Sequence, residues 1–198
     1  MRLRRAAGVA LAAAGAILLI GAGATYARGA LRQDALRAEW DAGEAHRAVG
    51  ELAASLDREV ASTPSIGAPV GRLIISRIAL DEIIVEGVGD AELNAGPGHL
   101  PGSVLPGAVG NAVVSAHRDR HFHGLDAIAV GDTVVTESHR RRVTWVIIER
   151  RIVERGAPAL FATTDARLTL TTCWPVRYTG PAPDRLILGA RKVLERGT

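Results

Sequence analysis

Residues 6 to 27, AAGVALAAAGAILLIGAGATYA, run for 22 positions without a charge. About 20 apolar residues are enough to cross a bilayer as a helix, so this stretch predicts a transmembrane segment. Three arginines in the first five positions, MRLRR, favour a cytoplasmic N-terminus with the rest of the chain outside. A cleaved signal peptide is the alternative. Its apolar region is usually about 7–15 residues long, shorter than this one, and no clean A-x-A site precedes Arg28. Both readings put the remainder beyond the cytoplasm. The glycines of GAGAT lack the spacing of a nucleotide-binding loop and suit the packing of membrane helices.

Residues 28–62 read as a helical stalk. Val49, Leu52, Ala53, Leu56 and Val60 share a helical face, and Arg47 and Glu51 stand four apart, close enough to pair. The breaker-rich TPSIGAPVG, residues 63–71, is a linker and domain boundary. Beyond it the pattern changes to short runs rich in Val, Ile, Thr and Leu: RLIIS, EIIVEGV, NAVVSAH, DTVVTE, RVTWVIIERRIV, ARLTLTTC and RLILGARKV. Turn signals separate these runs, GPGHLPGSVLPGAVG among them. Many short strands with few helical patterns predict a mainly β domain, either a closed barrel or a sandwich. DAELNAG is expected as a short helix with Asp90 as N-cap, and HFHGLDAI as a single turn. The organisation is therefore an anchor over 1–27, a stalk over 28–62, a linker over 63–71 and a β domain over 72–198.

Composition removes several function classes. Of 24 basic residues only Lys192 is a lysine. The arginines are spread along the chain without an aromatic-interleaved stripe, so no nucleic-acid partner is expected. The densest cluster, HRRRV at 139–143, reads as a solvated turn. With 4% aromatic residues and 47% hydrophobic ones, the core must rest mainly on aliphatic side chains. A single cysteine, Cys173, rules out an intramolecular disulfide and any zinc site that needs two cysteines from one chain.

That cysteine ends an alternating run and is followed by Trp174 and Pro175. Proline cannot continue an interior strand, so Cys173 belongs at a strand end, where a scaffold displays active-site groups. Burial as a small hydrophobe is the other reading of a lone thiol. His117 likewise closes the β run NAVVSAH. An imidazole beside a thiol makes it a strong nucleophile, provided the two strands meet in space. Arg185 opens the strand RLILGA directly after the turn TGPAPD. If that strand neighbours the cysteine strand, a fixed guanidinium lies beside the nucleophile and can stabilise an oxyanion.

Taken together, TLTTC resembles the T-L-x-T-C signature of the sortases, cysteine transpeptidases of bacterial cell surfaces. SAHRD resembles their catalytic-histidine segment and PDRLIL their catalytic-arginine strand. GPGHLPGSVLPGAVGNAVVSAHRD is similar to the corresponding stretch of class D and related sortases. The resemblance runs over residues 66–192 plus the anchor. It implies an eight-stranded sortase β-barrel and a triad of His117, Cys173 and Arg185. In these roles Cys173 attacks the carbonyl of an LPxTG-like sorting signal and forms a thioacyl enzyme. His117 protonates the leaving amine and then deprotonates the incoming one, while Arg185 holds the acyl carbonyl. Thr172 matches the signature threonine and is expected with Trp174 to line the substrate site. Arg177 is a rival to Arg185, but it sits in the loop after Pro175. The implied partners are secreted proteins with a C-terminal sorting signal, an amine acceptor and the membrane.

His117, His121 and His123 fall within seven positions. A metal site is not expected from them, since His117 ends a strand and no H-E-x-x-H is present. His121 and His123 are expected in a loop near the site or facing solvent. Asp119 is expected to orient a histidine or to pair with Arg118 or Arg120. His46, His99 and His139 are expected at the surface. Glu82, Glu86 and Asp90 do not mark a calcium site, and no cofactor is expected. Three other readings compete. L,D-transpeptidases also pair Cys and His, but LTTCWP lacks their S-H-G-C arrangement. A degenerate sortase keeps the fold without turnover. An anchored barrel with an inert thiol acts only as a peptide- or protein-binding module.

Overall fold

A computed structural model of the chain describes residues 2–50, 64–138, 141–159, 161–177 and 180–197. One long helix, α1 (Arg2–Gly50), precedes eight strands: β1 (Pro69–Ile75), β2 (Leu80–Glu86), β3 (Gly98–His99), β4 (Gly110–Ser115), β5 (Thr133–Ser138), β6 (Arg141–Glu154), β7 (Ala166–Trp174) and β8 (Asp184–Gly197). A short helix, α2 (Asp90–Ala95), joins β2 to β3, and a 3₁₀ turn (Leu125–Ala127) lies between β4 and β5. Gly89, not Asp90, occupies the N-cap of α2. Stalk residues 51–62, including the later part of the apolar stripe and Glu51, lie outside the described residues. Pro69 opens β1, so the last three linker residues already belong to the barrel.

The strands close in the order β1-β2-β3-β4-β7-β8-β6-β5, with β5 returning to β1. Closure leaves no long open edge, which removes the pairing hazard of an exposed strand. Two of the pairings are parallel, β2 with β3 and β4 with β7. Alternation along the strands turns Leu73, Ile75, Val114, Ile147, Leu168, Leu170, Leu186 and Leu188 inward, all fully buried. The interior is aliphatic, as the scarcity of aromatics requires, with Trp145 and Phe122 as its large rings. Trp145 donates its indole N–H to Thr136 Oγ1 at 2.8 Å, so its one polar atom is satisfied on burial. On the outside, Arg72 of β1 grips both carboxylate oxygens of Asp81 at 2.7 Å. That bidentate bond holds the Asp81 carboxyl below its ordinary range.

α1 has a free part and a docked part. Its first part is solvent-facing wherever side chains are described and is apolar enough to cross a membrane. Further along, Gln33, Leu36 and Trp40 are buried against Ile83 and Val85 of β2 and against Ala95. The stalk therefore lies on the barrel over at least these two turns.

Candidate active site

The site is built at one end of the β4–β7–β8 sheet. β4 and β7 run parallel with Ser115 opposite Thr171, so the two chains leave their pairing side by side and carry His117 and Cys173 to the same end. On the other flank of β7, Cys173 is the direct antiparallel partner of Arg185. Opposed residues on antiparallel strands project to the same face, with Cβ atoms about 4.5–5.5 Å apart. Thiol, imidazole and guanidinium thus come from three adjacent strands. Cys173 is partly exposed, as a thiol that meets a substrate has to be. It lines a cleft of about 280 Å³ together with His117, Arg118, Arg155, Gly180 and Ala182.

The supports of these groups are local and specific. Thr172 is buried and donates its hydroxyl to Ala116 O at 2.7 Å, while Ala116 N–H bonds Thr171 O at 3.2 Å. The first bond joins the residue before Cys173 to the residue before His117, and the second ties Ala116 to the residue before that threonine. The threonine hydroxyl is thus occupied beneath the cleft and does not line it. Trp174 packs against the core, with Arg150 5.3 Å above its ring, and is also absent from the lining. Arg185 donates Nε–H to Arg155 O at 3.0 Å, which anchors the guanidinium through one edge and leaves both Nη groups without a partner among the described residues. Arg177 is exposed and lies 3.6 Å from Asp126, on the loop beyond the strand end.

Arg118 is a residue that the sequence did not single out. Its guanidinium donates to Pro175 O at 2.8 Å and to Gly180 O, clamping both ends of the loop after Cys173. Position was the available signal, since Arg118 directly follows His117. Arg155 had no sequence signal at all; the fold brings the β6–β7 turn over the cleft.

The remaining histidines separate by environment. His99, expected at the surface, is buried: it is 2% exposed because β3 lies inside the barrel wall between β2 and β4. Its Nδ1 lies 2.6 Å from Glu86 Oε2, and its Nε2 lies 2.8 Å from Ser103 Oγ and 3.0 Å from Val104 O. The order Glu, His, Ser resembles a hydrolytic relay, but the serine proton is taken by Leu100 O at 2.8 Å. Ser103 Oγ also accepts from Val113 N–H. The cluster ties the 100–104 segment to β2 and β4. His121 is nearly buried with its Nδ1 against the Glu82 carboxylate, whereas His123 is exposed. Asp119 is exposed with its carbonyl directed to Tyr26. No group of three or more potential metal ligands occurs among the described residues. His139 is outside the described residues, as is the side chain of His46.

The barrel brings a thiol, an imidazole and an arginine to adjacent strand ends, an arrangement with the chemistry for cysteine-dependent acyl transfer. The family model for the sortase domain matches residues 73–193. Sortase D of Bacillus subtilis (strain 168) is 32% identical over 132 residues, 66% of this chain and 67% of that protein. Among solved structures, a Clostridium perfringens sortase D5 transpeptidase superposes with a TM-score of 0.60 at 22% identity, covering 67% of this chain and 83% of that one. The SrtF sortase of Corynebacterium diphtheriae gives 0.61 at 22% identity over 72% and 92%. Sortase C1 of Streptococcus agalactiae gives 0.58 at 27% identity over 64% and 68%. The chain belongs to the sortase family, whose members are cysteine transpeptidases of the cell surface.

Proposed function

We propose that this protein is a membrane-anchored sortase that cleaves an LPxTG-like sorting signal and transfers the acyl group to an amine at the cell surface. The observation that carries the reading is the register placing Cys173 opposite Arg185, with His117 at the end of the strand parallel to the cysteine's. Cys173 Sγ attacks the scissile carbonyl carbon, and the resulting oxyanion is held by the Nη groups of Arg185. Collapse breaks the C–N bond, His117 gives its proton to the departing amine, and a thioester remains on Cys173. An incoming amine then attacks the thioester, His117 takes its proton, and the thiolate leaves with a new amide formed.

In this reading the N-terminus is cytoplasmic and the barrel stands outside. The apolar span of α1 and the arginines before it support that orientation. The donors are secreted proteins bearing a C-terminal sorting signal, and the acceptor is a cell-wall peptide or another amine.

The test is intact-mass analysis of the protein incubated with an LPxTG-like peptide library and an amine donor. An acyl adduct on Cys173 that the amine discharges is the expected result. Cys173→Ala, His117→Ala and Arg185→Ala are each expected to abolish cleavage while keeping the barrel's circular dichroism. A variant turning over at the wild-type rate removes that residue from the triad. A thiol that forms no adduct and also resists alkylation makes the barrel a binding module instead.

A further inference from the structure

The part of α1 nearest the apolar span touches the loop that carries His117. Tyr26, next to the end of the uncharged run, donates its hydroxyl to Asp119 O at 3.4 Å. Arg120 lies 4.5 Å over the Tyr26 ring, and its Nη1 reaches Thr25 O at 3.4 Å. Asp119 is two residues from His117, no more than about 7 Å along an extended chain.

Further from the span, Gln33 makes a three-bond fork. Its Nε2 donates to Ile83 O at 3.0 Å and to Ala95 O at 2.9 Å, and its Oε1 accepts from Ile83 N–H at 3.0 Å. Leu36 and Trp40 follow against β2, and Arg37 donates to Asp81 O. From Tyr26 to Trp40 the helix rises about 21 Å, so the docked segment is as long as a barrel strand and too firmly held to act as a loose tether. Two glycines permit the approach. A Cβ on Gly29 would stand 2.7 Å from Asn94 O, and one on Gly96 would stand 2.2 Å from Gln33 Nε2.

The residues at the exit have the chemistry of a membrane interface. A tyrosine closes the apolar run and Arg28 and Arg32 follow one turn apart, the pattern of an aromatic belt with cations at the headgroup level. Neither arginine has a protein partner among the described residues.

Resting on the membrane-anchor reading above, we propose that α1 seats the barrel with its His117 loop on the bilayer surface. The cleft then works on peptide bonds presented at the membrane interface by chains held in the same bilayer. The docked face of α1 is thus a positioning element of the enzyme.

The sole cysteine makes the geometry measurable. The full chain, labelled at Cys173 with a thiol-reactive fluorophore, is reconstituted in phosphatidylcholine vesicles carrying a nitroxide on the headgroup or deep in the acyl chain. Strong quenching by the headgroup nitroxide and weak quenching by the deep one is the expected result. Two detached variants, Gly29→Leu and Leu36→Ala combined with Trp40→Ala, are expected to lose most of the headgroup quenching while keeping vesicle binding. A wild-type protein that floats with the vesicles but is unquenched overturns the seating and leaves the anchor intact. A protein that does not float overturns the anchor as well. With a peptide that acylates Cys173, joined to a membrane helix in the same vesicle, the detached variants should lose about tenfold or more in kcat/KM. The free peptide should stay within about twofold of wild type; equal losses on both overturn the positioning role.

Discussion

Thr172→Val isolates the bond that joins the cysteine strand to the histidine strand. Valine keeps the volume and branching of threonine but has no hydroxyl, so Ala116 O loses the 2.7 Å bond it accepts inside the barrel. Leaving one buried partner unsatisfied costs about 1–3 kcal/mol. The neighbouring bond from Ala116 N–H to Thr171 O is untouched and keeps the strands paired, so a value near 2 kcal/mol is expected. For a domain of this size, each kcal/mol lowers Tm by roughly 2–8 °C, and thermal unfolding followed by circular dichroism reads this directly. The same change loosens the spacing between His117 and Cys173, so acylation of Cys173 should slow about tenfold or more while the free-peptide KM changes little. Thr172→Ser, which restores the donor, should recover most of both effects. If Thr172→Val unfolds at the wild-type temperature and acylates at the wild-type rate, the latch contributes nothing and the reasoning fails.

His99→Ala leaves the buried Glu86 carboxyl without its hydrogen-bond partner and should destabilise by about 1–3 kcal/mol, seen as a lowered urea midpoint; an unchanged midpoint refutes the buried pair. Arg118→Gln should release the loop between Pro175 and Gly180, raising hydrogen exchange at residues 176–183 and lowering kcat/KM about tenfold with little change in Tm. His121→Ala and His123→Ala should cost far less activity than His117→Ala, and chelators should have no effect; a large loss on chelation revives a metal site. The depressed Asp81 carboxyl contributes stability above its unfolded pKa, about 4, that is lost as pH falls through the lower folded value. Because the Arg72–Asp81 pair is largely solvent-exposed, its share is about 0.5 kcal/mol. Comparing Asp81→Asn with wild type between pH 7 and pH 3 should show the difference close in that acid range.

Seven of the eight strands were legible as runs rich in β-branched residues and leucine between turn signals, while β3, Gly98–His99, was read as part of a turn; the candidate site was proposed because its three groups sit at the ends of such runs. Pairing was not legible. Nothing in NAVVSAH or ARLTLTTC indicates that they lie parallel to one another, since register is decided by which faces bury together. His99 was misplaced for a related reason. Its partner Glu86 is thirteen positions away, and a polar residue in a glycine-rich turn signal gives no sign that a two-residue strand will carry it inside. Thr172 shows the limit of motif transfer: the signature marks the position, whereas the structure shows its hydroxyl committed to the neighbouring strand. The docked stalk was hidden because Gln33 acts through backbone atoms of β2, which any sequence would supply.

The parallel pairing of β4 with β7 has a bearing on when this enzyme can act. The hydroxyl of Thr172 and its acceptor are 56 residues apart, with β5 and β6 between them in the chain though not in the sheet. Long-range parallel pairing of this kind forms late in folding. Until β4, β7 and β8 have paired, Cys173 has neither His117 nor Arg185 near it. On the proposed reading, acyl transfer waits for the closing of the barrel, and folding itself is the step that arms the thiol.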